Sequence, residues 1–222
     1  MRVGSVCGKN YAKRLLGAAA VKTDDMKILV ACEHSGTVRD AFMALGHEAM
    51  SCDLLPTEVP GPHYQGDVRD VLGDGWDLMI AHPPCTYLSK AGARWWNKPG
   101  RDELAQQAAD FVMLLWRAPI HAIAIENPRG QLNTRWRTPD QTIQPHWFGD
   151  PYSKATCLWL KNLPPLMATA QCASFTPWVR SNTGGAKRGQ KVSQGTAKGW
   201  KQASKTFPGI AKAMAGQWSE AL

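Results

Sequence analysis

Acidic residues are scarce in this chain. Eighteen Asp and Glu stand against 26 Lys and Arg, and none of the eighteen falls between Asp150 and Glu220. The net charge of +8 argues against a basic partner and for a polyanion. Long apolar runs are missing too: nothing approaches the roughly 20 residues of a membrane span, and the Gly17–Val21 patch is too short for the core of a signal peptide. The six cysteines, at positions 7, 32, 52, 85, 157 and 172, have no paired zinc-type spacing. They read as reduced thiols of a cytoplasmic protein. The six histidines are dispersed and form no His-Glu-x-x-His motif, so no metal is expected. No internal repeat or obvious interdomain linker divides the chain, and 222 residues suffice for one substantial core.

What is present is an alternation of short apolar runs and amphipathic stretches, the pattern of an α/β sheet. Met26–Cys32 reads as a strand, Glu33-His-Ser-Gly36 as a turn, and Thr37–Leu45 as a helix closed by Gly46. The next run ends at Asp53, where a carboxylate suits a ribose diol, while Ser35 and Gly36 sit where backbone approaches a ligand. Only one of the usual glycines is there, so the same residues also read as an ordinary strand-to-helix turn. Arg101–Trp116 carries apolar residues at Leu104, Ala108, Phe111, Val112 and Leu115, the spacing of a helix lying on a sheet, with Asp102 in its first turn. Its aromatic residues read as core. Residues 1–25 precede the first strand and are expected to be a mobile extension, or a start assigned ahead of Met26; 26–222 form the single domain.

Two strand ends carry candidate chemistry. Asp77-Leu-Met-Ile-Ala-His-Pro-Pro-Cys85 is an apolar run stopped by two prolines immediately before a cysteine. Proline lacks a backbone donor, so the chain leaving that strand is forced onto an irregular course. A lone cysteine there reads as a small buried hydrophobe. The second run changes that reading, because Ile123-Ala-Ile-Glu126-Asn127-Pro128 likewise ends in a carboxylate and a proline. A nucleophile and a carboxylate at equivalent ends of two strands converge on one crevice.

Pro-Pro-Cys85 and Glu126-Asn127 resemble the catalytic motifs of the cytosine-C5 DNA methyltransferases, most of all the short forms of phage genomes. The resemblance runs from about residue 26 to 218. It implies a Rossmann-like S-adenosylmethionine-dependent methyltransferase fold, with a mostly parallel central sheet and helices on both faces, acting on DNA in the cytoplasm, a host's if phage-encoded. It also implies that the Cys85 thiolate adds to C6 of cytosine while Glu126 holds N3, so that C5 attacks the methyl group. Covalent addition of this kind divides one hard transfer into easier steps. The chemistry asks for a neighbour that lowers the thiol pKa and for a desolvated Glu126 with a raised one. Cofactor contacts are implied for Ser35, Gly36, Asp53, Asp67, Val68 and Pro83, and substrate contacts for Asn127, Arg129 and Thr156. The Phe148-Gly-Asp-Pro151 frame matches a segment that carries two arginines in the family; here Lys154 and Thr156 stand in their places. Lys154 is taken as catalytic, although an ammonium cannot copy a planar bidentate fork. Thr206–Trp218, with Pro208 near its start, resembles the helix that returns over the cofactor site.

The interval usually occupied by a large target-recognition region is short. At about residues 174–205 it is a glycine- and lysine-rich stretch, expected to be a mobile basic loop. Arg180, Lys187, Arg188, Lys191, Lys198, Lys201 and Lys205 are candidates for phosphate contacts, and Trp178 and Trp200 for stacking on bases or sugars. Recognition is therefore expected to be short or loose, by a protein favoured to be a monomer. Three other readings stay open: transfer to an exocyclic amine of cytosine or adenine, a catalytically impaired DNA-binding relative, and C5 transfer of a larger group from a modified S-adenosylmethionine.

Overall fold

In a computed structural model, which describes residues 25–178 and 204–222, the chain is built around a seven-stranded sheet in the order β3-β2-β1-β4-β5-β8-β6. Strands β1 (Lys27–Ala31), β2 (Glu48–Asp53), β3 (His63–Gln65), β4 (Leu78–Ala81) and β5 (Ala122–Pro128) are mutually parallel. Strand β8 (Thr156–Lys161) runs antiparallel to both β5 and β6 (Gln141–Ile143). Two further strands, β7 (Tyr152–Ser153) and β9 (Thr176–Pro177), form a separate pair. The α/β class with a mostly parallel sheet follows. Its helices are α1 (Thr37–Met43), α2 (Arg101–Trp116), the single turn α3 (Leu132–Arg135) and α4 (Pro208–Ala221).

Strands buried on both faces must be apolar at every position, and period two then divides their side chains between two cores. Ile28, Val30, Leu78, Ile80, Ala122 and Ala124 meet Val38 and Phe42 of α1 and Ile210, Met214 and Trp218 of α4. Leu29, Ala31, Met79, Ala81, Ile123 and Ile125 meet Ala109, Val112 and Leu115 of α2 on the opposite face. The contact stripe of α2 is rotated from the one the sequence suggests. Ala105, Ala109, Val112 and Leu115 are fully buried, the last two as the spacing suggests, while Leu104, Ala108 and Phe111 are only partly covered.

Chain order reverses between β1 and β4. From β1 the chain moves outward through β2 and β3, and it then returns to lay β4 on the other side of β1. The carboxyl ends of such neighbours open a crevice that no crossover covers.

Candidate active site

The crevice has two halves. One is a cavity of about 280 Å³ walled by Cys32, Cys52, Asp53, Leu54, Gly66, Asp67, Val68, Arg69, Pro84 and Phe111. These residues come from the ends of β1, β2 and β3, the loop after β4, and α2. Of the expected cofactor residues, Asp53, Asp67 and Val68 line it, whereas Ser35, Gly36 and Pro83 do not. Asp53 Oδ1 accepts from the Leu55 amide at 2.9 Å, and Asp67 Oδ1 from the Arg69 amide at 3.0 Å. Both carboxylates are thereby fixed by their own loops. The field they create is visible on the thiols: burial first, then the charges of Asp53, Asp67 and Asp70, push Cys52 up to about 12. Cys32 is raised too, by burial first and then by Asp53, Cys52 and Asp67.

The β1–α1 turn is occupied by the protein itself. Buried Glu33 accepts from the amides of Val38 at 2.9 Å and Arg39 at 3.3 Å, and from the Ser35 hydroxyl at 2.9 Å. A helix N-terminus of this kind is an anion site, and here an internal carboxylate fills it. Gly36 has φ 73°, and a Cβ there would meet Arg39 Nη2 and Val59 Cγ2, each at 2.6 Å. Its close approach therefore serves the packing of the fully buried Arg39. The Arg39 guanidinium in turn gathers the 57–62 loop through Thr57, Val59, Pro60 and Pro62.

The other half joins the ends of β4 and β5. Ala81 and Ile125 are in register, so His82 and Glu126 emerge side by side, and His82 Nδ1 lies 3.0 Å from Glu126 Oε2. One residue on, Asn127 returns the connection by donating from Nδ2 to the Pro83 carbonyl at 2.9 Å. Beyond Cys85 the lacing continues, with the Gln131 amide donating to Leu88 O at 2.7 Å and Lys90 N to Arg129 O at 2.9 Å. Gln131 Nε2 donates to Tyr87 O at 3.1 Å. Gly130 permits this, because a Cβ there would lie 1.8 Å from Leu88 O. The segment bearing Cys85 is thus clamped onto the segment that follows Glu126.

Two electrostatic expectations are corrected. Burial pushes the Glu126 carboxyl up, but the His82 hydrogen bond and the positive charge of Lys154 outweigh it and leave Glu126 below its ordinary value of 4.5. For half-buried Cys85, burial and then the charge of Glu126 raise the thiol above its ordinary 9.0, with Lys154 and a backbone hydrogen bond opposing. Both signs are opposite to those the chemistry asks for, because the sequence shows His82, Cys85 and Glu126 but not that His82 bonds Glu126 or that the Glu126 charge acts on the buried thiol. Lys154 acts electrostatically on both groups, and its Nζ donates to the Lys205 carbonyl at 3.4 Å. Thr156 is buried and donates to the carbonyl of Lys154 at 3.2 Å, while Arg129 is exposed.

The basic insertion is only partly in view. Arg180, Lys187, Arg188, Lys191, Lys198, Trp200 and Lys201 lie outside the described residues, as does the extension up to residue 24 and Cys7 with it. Its edges are anchored and not loose. Thr176–Pro177 is strand β9, and the Trp178 ring packs on Tyr152 at 4.6 Å and on Phe207 at 4.9 Å. Lys205 pairs with Glu58. Trp178 and Lys205, expected to meet nucleic acid, are therefore engaged within the protein.

Sequence reasoning missed several residues here. His82 reads locally as one more loop residue. Phe111 reads as core packing, yet it walls the cavity as well as touching the core. Lys90, Arg94, Trp95 and Lys98 form an exposed basic stretch soon after Cys85, with Arg94 over the Trp95 ring at 5.0 Å. Its signal was available, since no acidic residue occurs between Asp77 and Asp102.

Among the described residues no helix is long and apolar enough to cross a membrane, no group of three or more His, Cys, Asp or Glu side chains is arranged to hold a metal ion, and five cysteines are free. No protein-family model matches the chain, and no curated protein resembles it significantly.

Proposed function

We propose that this protein is a DNA cytosine-C5 methyltransferase of the Rossmann-like, S-adenosylmethionine-dependent kind. The observation that carries the reading is the clamped pair of strand ends, with the charge of Glu126 acting on Cys85 beside a cavity walled by Asp53 and Asp67, the latter paired with Arg69 at 3.4 Å. Those two carboxylates support the choice of cofactor. A dinucleotide brings a pyrophosphate, but Glu33 already occupies the first helix N-terminus and the cavity wall carries Asp53 and Asp67. S-Adenosylmethionine brings a sulfonium, an ammonium and a ribose diol, all suited to carboxylates. Asp53 would hold the diol, Asp67 the adenine amino group, and Val68 would pack beside the ring. When bound, the cofactor supplies an electrophilic methyl group.

The remaining steps belong to the chain. As the Cys85 sulfur bonds to C6 its thiol proton is released, and N3 gains the balancing proton, which it shares with the Glu126 carboxylate and which draws electron density from C6. After transfer the C5 proton leaves to solvent, the Cys85–C6 bond breaks, and the thiolate and the ring are restored. Glu126 is also the neighbour whose charge holds the thiol up. Proton sharing with N3 removes part of that charge, so the thiolate becomes accessible when the base arrives. Lys154 supports both steps by opposing the rise at Cys85 and stabilising negative charge at Glu126. Base and thiol meet only if the cytosine leaves the helical stack.

Two measurements test the reading. Incubation with S-adenosylmethionine and mixed DNA, followed by nucleoside mass spectrometry, is expected to yield 5-methylcytosine. N4-methylcytosine or N6-methyladenine would assign the exocyclic-amine reaction, and no product with retained DNA binding would assign the impaired relative. DNA containing 5-fluorocytosine should trap wild type covalently and leave Cys85→Ser untrapped. For the cofactor, Asp53→Asn and Asp67→Asn keep the acceptors for Leu55 and Arg69 yet remove the charge. Each should weaken calorimetric affinity roughly tenfold, the worth of one charge-assisted hydrogen bond. Unchanged affinity in both would remove this cavity from cofactor binding.

A further inference from the structure

We infer that His82 is a positioning residue for Glu126 in the reaction proposed above, on which this inference rests. The pairing is built into the sheet. The His82 amide still donates to the Ala31 carbonyl at 2.9 Å, extending the β4 ladder one residue past its end. Its side chain therefore leaves a fixed backbone opposite Glu126. Both side chains are enclosed, at 9% and 10% exposure, so water does little to hold the carboxylate. Lys154 contributes charge from a flexible stem. His82 alone supplies Glu126 with a directional side-chain hydrogen bond among the contacts of the described residues.

The geometry also fixes which oxygen does what. An ionised carboxylate only accepts hydrogen bonds, and Glu126 is held ionised in the free protein. The proton of the pair therefore sits on His82 Nδ1 and is donated to Oε2. That leaves Oε1 as the oxygen presented to an incoming base, and the proton shared with N3 sits between N3 and Oε1. His82 stays in one tautomer throughout, with no bond made or broken on it. The opposite imidazole nitrogen, Nε2, is enclosed and has no hydrogen-bond partner among the described residues. An apolar side chain would fill the same corner without stranding that atom, so the use of histidine is accounted for by Nδ1.

Single-turnover methyl transfer with His82→Ala, His82→Asn, Glu126→Gln and the Ala/Gln double variant tests the role. Asparagine keeps an N–H donor near the position of Nδ1. His82→Ala should lower the transfer rate about tenfold, with KM for S-adenosylmethionine within about twofold, the scale of one lost charge-assisted bond. His82→Asn should recover most of the rate. In the Glu126→Gln background, His82→Ala should add no further loss, because its partner has already lost its charge. Losses that multiply, or a loss confined to KM, would overturn the inference. Should His82→Ala not fold, His82→Asn against His82→Gln carries the same comparison, since glutamine sets its donor one bond further out.

A second readout needs no activity. The His82 Nδ1 proton should be observable by nitrogen-15 NMR in the unliganded protein and should move or broaden in Glu126→Gln. Wild type that makes no 5-methylcytosine while this signal behaves as expected would overturn the proposed function and leave the pairing intact. An active enzyme whose Nδ1 proton ignores Glu126→Gln would overturn the pairing and leave the function intact.

Discussion

Burial raises the proton affinity of a carboxylate, and at Glu126 the His82 hydrogen bond and the Lys154 charge more than offset it. The sign of the resulting pH dependence follows from linkage. A glutamate released by unfolding titrates near 4.5, and the folded one titrates lower, so the unfolded chain binds the proton first as acid is added. The stabilisation is complete above about pH 4.5 and is lost as pH falls through the folded value. Wild type and Glu126→Gln should therefore differ most in stability above that pH, and the gap should narrow as acid is added. Urea titrations from pH 7 down to about pH 3 measure it; a constant or widening gap would show that Glu126 is not held ionised. The position of Glu126 was legible in the sequence, because an apolar run broken by proline is a local pattern. Its charge state was not, since that depends on a histidine 44 residues away in sequence and a lysine from a third segment.

Elements position the site through close backbone approach. Gly130 lies where the 88–90 and 129–131 segments bridge, and a side chain there must displace the Leu88 carbonyl. Gly130→Ala should thus cost about 1–3 kcal/mol, as overpacking does, and should slow trapping by 5-fluorocytosine because Cys85 moves with the clamp. Gly216 is the control. It lies inside α4, and a Cβ added there would meet nothing within 4 Å, so Gly216→Ala should stabilise by roughly 0.5–1 kcal/mol through helix propensity. Thermal unfolding of the two variants should move in opposite directions; a neutral Gly130→Ala would mean the clamp is loose. The long elements were legible for a related reason: β1, β2, β4, β5, α2 and α4 show enough residues for a period to be read. The two- and three-residue strands β3, β6, β7 and β9 do not, and their existence depends on neighbours already in place.

At the scale of the molecule, charge is distributed unevenly, and the described residues alter which cations remain for a polyanion. Lys205 is committed to Glu58, and Lys154 sets its charge against Cys85 and Glu126, which subtracts them from the candidate phosphate contacts. Lys90, Arg94 and Lys98 add to it, being exposed on the segment that follows Cys85. Duplex DNA bound there and by the Arg180–Lys201 stretch would release counterions from both, and log affinity should fall with log salt by about 0.9 per phosphate neutralised. Replacing Lys187, Arg188 and Lys191 with glutamine should flatten that slope by about 0.9 for each contact actually made. Replacing Lys90, Arg94 and Lys98 should flatten it again, with little change in calorimetric cofactor affinity. Neither set is expected to read base edges, so the loss should be about equal across DNA sequences. Fluorescence anisotropy at several salt concentrations, paired with sequencing of methylated sites in random DNA, measures both quantities. A slope indifferent to both sets would show that these segments do not hold the phosphate backbone, and a strict site of several base pairs that the first set relaxes would show that they read sequence.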